Sequence, residues 1–424
     1  MQKNIKFLLL VCCLSLSTAL VCSGDQQPFQ ISVVTTDNNP ITVTATGSNL
    51  TDLINNLIKN LGQFQQLNGH AFTGTSTFLG VPNAIVFNVN STGTVVNLNL
   101  TPIAFNKTFN GTSQGDVENQ VTNFIEKSGS GTVGDFLSAI AKMSAVAVTD
   151  GNPNAATASS ASTTFMDQGF TPATEVETLA ADTTTTGTST SATAKPSFGG
   201  LGIGFNSGKF KAAGIDGENT DVSITGLNFG LGPNVRLVTP VGFSYLKVAG
   251  ARVGGFSVGL GLPITVETMG KDSPYNWRIT PMAATSVRGS VDLASGALLW
   301  QAGLTNTVDY KVSSKLIVCV VNQLTTHHSI AVDYGDYHFD PKVDQQILKN
   351  GLRFVTPLNA RLIGDFFVID TRFLKDAAVK SFETLGGSLS FRITKTHSLT
   401  IGFNYDTGDN FKAYSVGLSS AWRW

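Results

Sequence analysis

Cysteine, charge and long apolar runs are all scarce in this chain, and each scarcity excludes something. Of the four cysteines, Cys12, Cys13 and Cys22 lie in a segment expected to be removed. Cys319 is then alone, no internal disulfide can form, and a small disulfide-stapled secreted fold is excluded. Charged residues make up 13% of the sequence, against about 25% in ordinary soluble domains. Their balance is even, with 28 basic and 29 acidic residues, so nothing favours nucleic acid as a partner. Beyond Val21 no stretch stays apolar for the roughly 18 residues that a membrane helix needs. A P-loop, a dinucleotide fingerprint, zinc-ligand spacing and a nucleophile elbow are also missing. The sequence therefore assigns no catalytic, cofactor-binding or metal-binding residue.

What is present begins with an export signature. Lys3 and Lys6 precede an apolar run from Phe7 to Val21, and Cys22-Ser23-Gly24 supplies the small residues of a cleavage site, so residues 1–24 are expected to be a signal peptide. In residues 25–148, helix and strand periods are mixed. Ile85, Phe87 and Val89 alternate with polar residues, as do Val96, Leu98 and Leu100, with Asn90-Ser91-Thr92-Gly93 as a turn between them. Leu50, Leu53, Ile54, Leu57, Ile58 and Leu61 fall at helical spacing behind a Ser48/Asn49 cap, and Val117, Val121, Phe124 and Ile125 repeat that pattern. A third helix is expected at Val133, Phe136, Leu137 and Ile140. Residues 29–61 and 84–127 can be written as two copies of a β-β-α unit, or as two unrelated amphipathic helices. Either way, these residues are enough for one small α+β domain. The sequons at Asn49, Asn90, Asn106 and Asn110 are read as chance matches.

From 149 to 195 the sequence becomes Thr, Ser and Ala with few large apolar residues, the composition of a disordered linker. From 196 to 424 the period changes to two. Leu201, Ile203 and Phe205 oppose Gly200, Gly202 and Gly204, and Phe256, Val258, Leu260, Leu262, Ile264 and Val266 oppose small residues. Leu399, Ile401, Phe403 and Tyr405 oppose Thr400, Gly402 and Asn404. All four tryptophans and seven tyrosines lie from Tyr245 onward, several near strand ends. A soluble sandwich shares the period, but strands of nine or more residues and aromatic ends fit a sheet that closes on itself within a bilayer. About twelve strands are expected, near 200–205, 222–231, 241–249, 253–266, 277–287, 291–304, 315–323, 328–334, 361–370, 385–393, 397–405 and 412–424, with a bulge at Gly226. Leu316 to Val321 and Arg361 to Ile369 are apolar on both faces, which suggests inward residues packed inside the lumen.

In the last segment Tyr414, Val416, Leu418, Trp422 and Trp424 share one face, with Ser420 departing from it. This resembles the C-terminal β-signal of bacterial outer-membrane barrels. The resemblance implies a cell outer-membrane location, the lipid bilayer as surroundings and the barrel-assembly machinery as a partner of the C-terminal strand. The order of signal, small domain, linker and barrel resembles the layout of an autotransporter, although no helix pattern immediately precedes the barrel. The expected function is a non-enzymatic barrel that tethers or displays a binding domain. Two alternatives stand beside it: a porin-like channel with a periplasmic domain, and a barrel hydrolase. The hydrolase would use the densest polar cluster, His327, His328, Asp333, Asp336, His338 and Asp340, which otherwise reads as a solvated strand and loop. Arg278, Arg288, Arg353, Arg361, Arg372 and Arg392 are lumen candidates, to be paired with Asp365 or Asp370 or to favour anions.

Overall fold

The computed structural model describes residues 27–127, 131–159 and 198–422, apart from short gaps at 233, 268–272, 291, 294, 335–336 and 395. The expected signal segment, most of the expected linker, and Asp336 and Trp424 lie outside the described residues.

The N-terminal unit is one six-stranded antiparallel sheet in the order β2-β1-β3-β4-β5-β6. Its strands are β1 (Phe29–Thr35), β2 (Thr42–Gly47), β3 (Phe72–Phe78), β4 (Ile85–Val89), β5 (Val95–Leu100) and β6 (Phe105–Asn110). Period-two alternation sorts the two faces. Phe29, Ile31, Val33, Val43, Phe87 and Leu98 are buried, whereas Thr42, Thr44, Thr46, Asn88, Asn97 and Thr108 are exposed. Helix α1 (Leu50–Lys59) starts where expected, the Asn49 side chain accepting from the Asp52 N–H at 2.8 Å. That bond satisfies one of the first-turn donors the helix leaves free. Leu53 and Leu57 of α1 are buried, but Ile58, expected on the same stripe, is 47% exposed. Short α2 (Leu61–Phe64) follows, and α3 (Gln114–Lys127) and α4 (Thr132–Met143) complete the unit. Val117, Val121, Phe136 and Ile140 bring their apolar stripes onto the sheet's core. The β-β-α duplication fits incompletely, because β6, absent from the expected pattern, stands between the 85–100 hairpin and α3.

The second unit is a closed antiparallel barrel of twelve strands. They are β7 (Phe198–Ala212), β8 (Ile215–Gly230), β9 (Arg236–Val248), β10 (Ala251–Gly261), β12 (Tyr275–Ser290), β13 (Ser295–Ser313), β14 (Leu316–Ile330), β17 (Asp344–Pro357), β18 (Leu362–Phe373), β19 (Ser381–Arg392), β20 (His397–Gly408) and β21 (Phe411–Trp422). Pairing of β7 with β21 and of β10 with β12 leaves the wall without a free edge. A short β11 (Ile264–Glu267) extends the wall, and β15 (Val332–Tyr334) and β16 (Tyr337–Phe339) form a hairpin of their own. The expected run 253–266 is split at Leu262-Pro263, since proline has no N–H for the ladder. The bulge expected at Gly226 is present, as a register shift between Ile224 and Leu227.

With an even strand number, β7 begins and β21 ends at the same rim, here called the terminal rim. The opposite rim is made by the connections at 213–214, 249–250, 291–294, 331–343, 374–380 and 409–410. The N-terminal unit sits on that opposite rim. Its core is continuous with Ala212, Ile215, Leu246, Val248, Ala251, Leu293, Val379 and Phe411 of the rim. Lys342 on the rim holds Asp135 of α4 at 2.7 Å.

Candidate functional site

The exterior of the barrel is apolar. Ile203, Phe205, Phe243, Phe256, Leu304, Leu324, Phe366, Ile401, Phe403, Val416 and Leu418 all face outward and are more than 36% exposed. Aromatic pairs stand near both rims. Tyr275 and Tyr310 (5.1 Å between centroids) and the His397–Trp422 stack (5.0 Å) lie toward the terminal rim, and the Trp300–His328 stack (4.7 Å) toward the capped one. Among the described residues no helix is long and apolar enough to cross a membrane.

The lumen is polar, and two of its arginines are neutralised in place. Arg278 donates to Asp309 at 3.0 Å, and Asn276 reaches the same carboxylate. Arg353 donates to Asp365 at 2.8 Å, which also accepts from Ser388 at 2.6 Å. Both ion pairs are almost fully buried, so removing either carboxylate would leave a buried cation, at a cost of about 3–5 kcal/mol. Arg372 instead pairs with Asp370 on the outer face at 2.9 Å, and Arg361 lies in an exposed turn. The two segments apolar on both faces find their inward partners in each other. Ile317, Cys319, Val355 and Ile363 form one lumen cluster, and Val321 meets Ile369.

The mouth at the capped rim is filled by the chain itself. After α4, residues 146–158 run into the barrel, almost all of them buried, ending in the short helix α5 (Ala156–Ser159). Composition had assigned 149 onward to a disordered linker; its first eleven residues are instead an ordered plug, small enough to enter a mouth lined with larger side chains. Asn152 ties the turn together by donating to Ala147 O at 2.6 Å. Gly151 has φ +80°, and a Cβ there would lie 2.7 Å from Ala141 O. Ala156 packs on Ala297, Leu299 and Val343, and Ala158 on Ile347, Phe373 and Ala377. Arg288, buried on β12, donates to the carbonyl of Asn154 and to Ser244 at 2.7 Å. Val379 N–H donates to Gly151 O at 3.1 Å. Asp150 Oδ1 accepts from Gly151 N–H, Thr157 and Gln345, and burial pushes this carboxyl up to about 6. Beside the plug a cavity of about 430 Å³ remains, reached by Asn206, Asp221, Lys349, Asn404 and Asp406.

The polar cluster His327 to Asp340 does not converge. His327 points into the lumen, fully buried, with Nε2 2.9 Å from Thr325 Oγ1. His328, next along the strand, points out, stacked on Trp300 and 3.3 Å from Asp344. Asp333 and His338 are cross-strand partners in the β15–β16 hairpin, and Asp340 accepts from Ser329 at 2.6 Å. Among the described residues no group of three or more His, Cys, Asp or Glu could hold a metal ion.

No protein-family model matches the sequence, and no curated protein matches it. Solved structures similar to it include the β domain of the Bordetella autotransporter BrkA (15% identity, 53% of this chain, 99% of that one, TM-score 0.39). The translocator domain of the autotransporter NalP from Neisseria meningitidis is similar at 13% identity, over 53% of this chain and 89% of that one, with TM-score 0.39. An outer-membrane channel from Pseudomonas putida F1 is similar at 10% identity, over 56% of this chain and all of that one, with TM-score 0.40. The chain carries a transmembrane β-barrel of the outer-membrane type. Its own construction decides this: the closed wall offers lipid no free strand edge, and mostly apolar residues face out while mostly polar ones face in.

Proposed function

We propose that this protein is a non-enzymatic outer-membrane barrel that holds its N-terminal domain on the outer surface, docked over the capped rim, in an autotransporter-like arrangement. The observation that carries the reading is the placement of the described elements. The domain and plug occupy one rim, while β7 starts at the other. The terminal rim, where the last strand is offered to the barrel-assembly machinery, is taken as the inner side, which leaves the capped rim outside. Protease shaving of intact cells tests this. Loss of residues 27–148 is expected, and full protection in intact cells with digestion after lysis would overturn it.

A porin-like channel is the second reading, favoured by the polar cavity beside the plug. It predicts steady conductance of the intact chain in planar bilayers. The display reading predicts a closed barrel that conducts only after residues 27–159 are deleted.

A further inference from the structure

A cationic patch lies on the outside of the barrel where its first and last strands meet. On the β7–β21 ladder Lys211 stands directly across from Lys412, and Lys209 across from Tyr414. One strand beyond β8, Lys247 stands across from Arg252. All five cations are exposed. Like charges placed directly opposite each other destabilise an antiparallel pair, so this arrangement calls for a counter-charge. The chain supplies it only in part. Lys209 and Lys211 lie 3.8 and 3.7 Å from Glu218 and Asp216, solvent-exposed pairs of the kind that contribute little. Glu218 is also the cross-strand neighbour of Lys247, and among the described residues no carboxylate forms an ion pair with Lys412. Lys209, Lys211, Lys247 and Lys412 border a surface hollow of about 700 Å³ that also contains Asp216, Glu218, Tyr405 and Tyr414.

The position of the hollow says what could fill it. Moving along the same outer face toward the terminal rim, Lys412 is followed by Tyr414, Val416 and Leu418, and Lys247 by Tyr245 and Phe243, all exposed. Two residues of strand rise about 7 Å. Lys211, Lys247 and Lys412 therefore stand one step beyond the interfacial tyrosines, at headgroup depth, with lipid-facing apolar residues directly below.

We infer that this seam binds the phosphate-bearing headgroup of a lipid in the leaflet at the capped rim. The phosphate lies between Lys211 and Lys412, and the acyl chains lie on Phe205 and Val416. A neutral lipid lacks the charge, and a free phosphate lacks the chains. The site does not depend on which side of the membrane the domain faces, so it can fail without the display reading failing.

The test is native mass spectrometry of the full detergent-solubilised chain titrated with phosphatidylglycerol, with a neutral diacylglycerol of the same chains, and with inorganic phosphate as competitor. Selective retention of phosphatidylglycerol is expected, undiminished by millimolar phosphate. Neutralising Lys211 and Lys412 together (K211Q/K412Q) should weaken retention on the order of tenfold or more, K211R/K412R should restore it, and K59Q/K107Q in the N-terminal domain should leave it unchanged. Heat-modifiable gel migration reports whether each variant is folded. Equal retention of the neutral lipid, displacement by inorganic phosphate, or full retention by folded K211Q/K412Q would each overturn the inference.

Discussion

Asp150 makes the plug sensitive to acid in a direction that can be worked out. Its carboxyl is 1% exposed. Oδ1 is satisfied three times over, but Oδ2 has no hydrogen-bond partner among the described residues. Docking therefore removes a carboxylate from water without fully replacing its solvation, and the group is held near 6 rather than 3.8. The docked state binds the proton more tightly than the undocked one. Docking is thus strongest below pH 4, weakens as pH rises, and above pH 6 carries the whole penalty of about 3 kcal/mol. Between pH 7 and pH 5 the gain is about 1.4 kcal/mol, a tenfold change in the docking equilibrium. Hydrogen exchange of residues 144–159, corrected for its intrinsic pH dependence, should therefore slow about tenfold at pH 5 relative to pH 7. The amide of Ala156, donated to Val148 O at 2.9 Å, is a direct reporter. In Asp150→Asn the pH dependence should vanish. Equal pH dependence in wild type and D150N, or faster exchange at pH 5, would refute the reasoning.

Other consequences of the same geometry can be measured separately. Arg288→Ala removes the charged donor to Asn154 O, worth about 1.5–3 kcal/mol, and should raise the frequency of open-channel events in planar bilayers by roughly tenfold or more. Gly151→Ala places a Cβ against Ala141 O in a left-handed backbone and should loosen the plug by at least about 1 kcal/mol, read as faster exchange of 144–159 with the barrel's gel migration unchanged. Leu293→Ala deletes a fully buried rim contact beneath the domain, at a cost of about 2–5 kcal/mol, and should make the domain more susceptible to limited proteolysis. Alanine at His327, His328 and His338 should leave display intact, as expected if the cluster performs no chemistry; loss of a hydrolytic activity in any of these variants would favour the hydrolase reading.

Much of the barrel was legible because lipid outside and polar contents inside impose strict alternation on most strands. The alternation was weakest where the outer face itself turns polar. Asp344–Pro357 was missed as a strand: Gln346 and Asn350 interrupt its outward face, and Asn350 is satisfied by Asn322 of the neighbouring strand at 2.9 Å. The expected strand at 328–334 is instead the end of β14 followed by β15, so the count of about twelve agrees while one member was misplaced. The expected lumen pairing of an arginine with Asp365 is present through Arg353, whereas Arg372 and Asp370, expected in the lumen, pair on the outer face. The plug was not. Its Thr, Ala, Asn and Gly residues have the composition of a linker, and only the surrounding mouth makes small residues a packing solution. Asp150-Gly151-Asn152-Pro153 was the available signal, a turn sequence standing inside an otherwise featureless run. The opposed facing of His327 and His328 follows from strand geometry alone, once both are placed on β14.

The most direct test of the whole arrangement is paired cysteine labelling on living cells with a membrane-impermeant thiol reagent, in a chain whose Cys319 is buried. One cysteine replaces exposed Gln66 in the N-terminal domain, and the other replaces exposed Ser314 in the turn at the terminal rim. Labelling of the Gln66 position on intact cells, with the Ser314 position labelled only after the outer membrane is permeabilised, is the predicted result. The reverse pattern would place the domain inside and contradict the account.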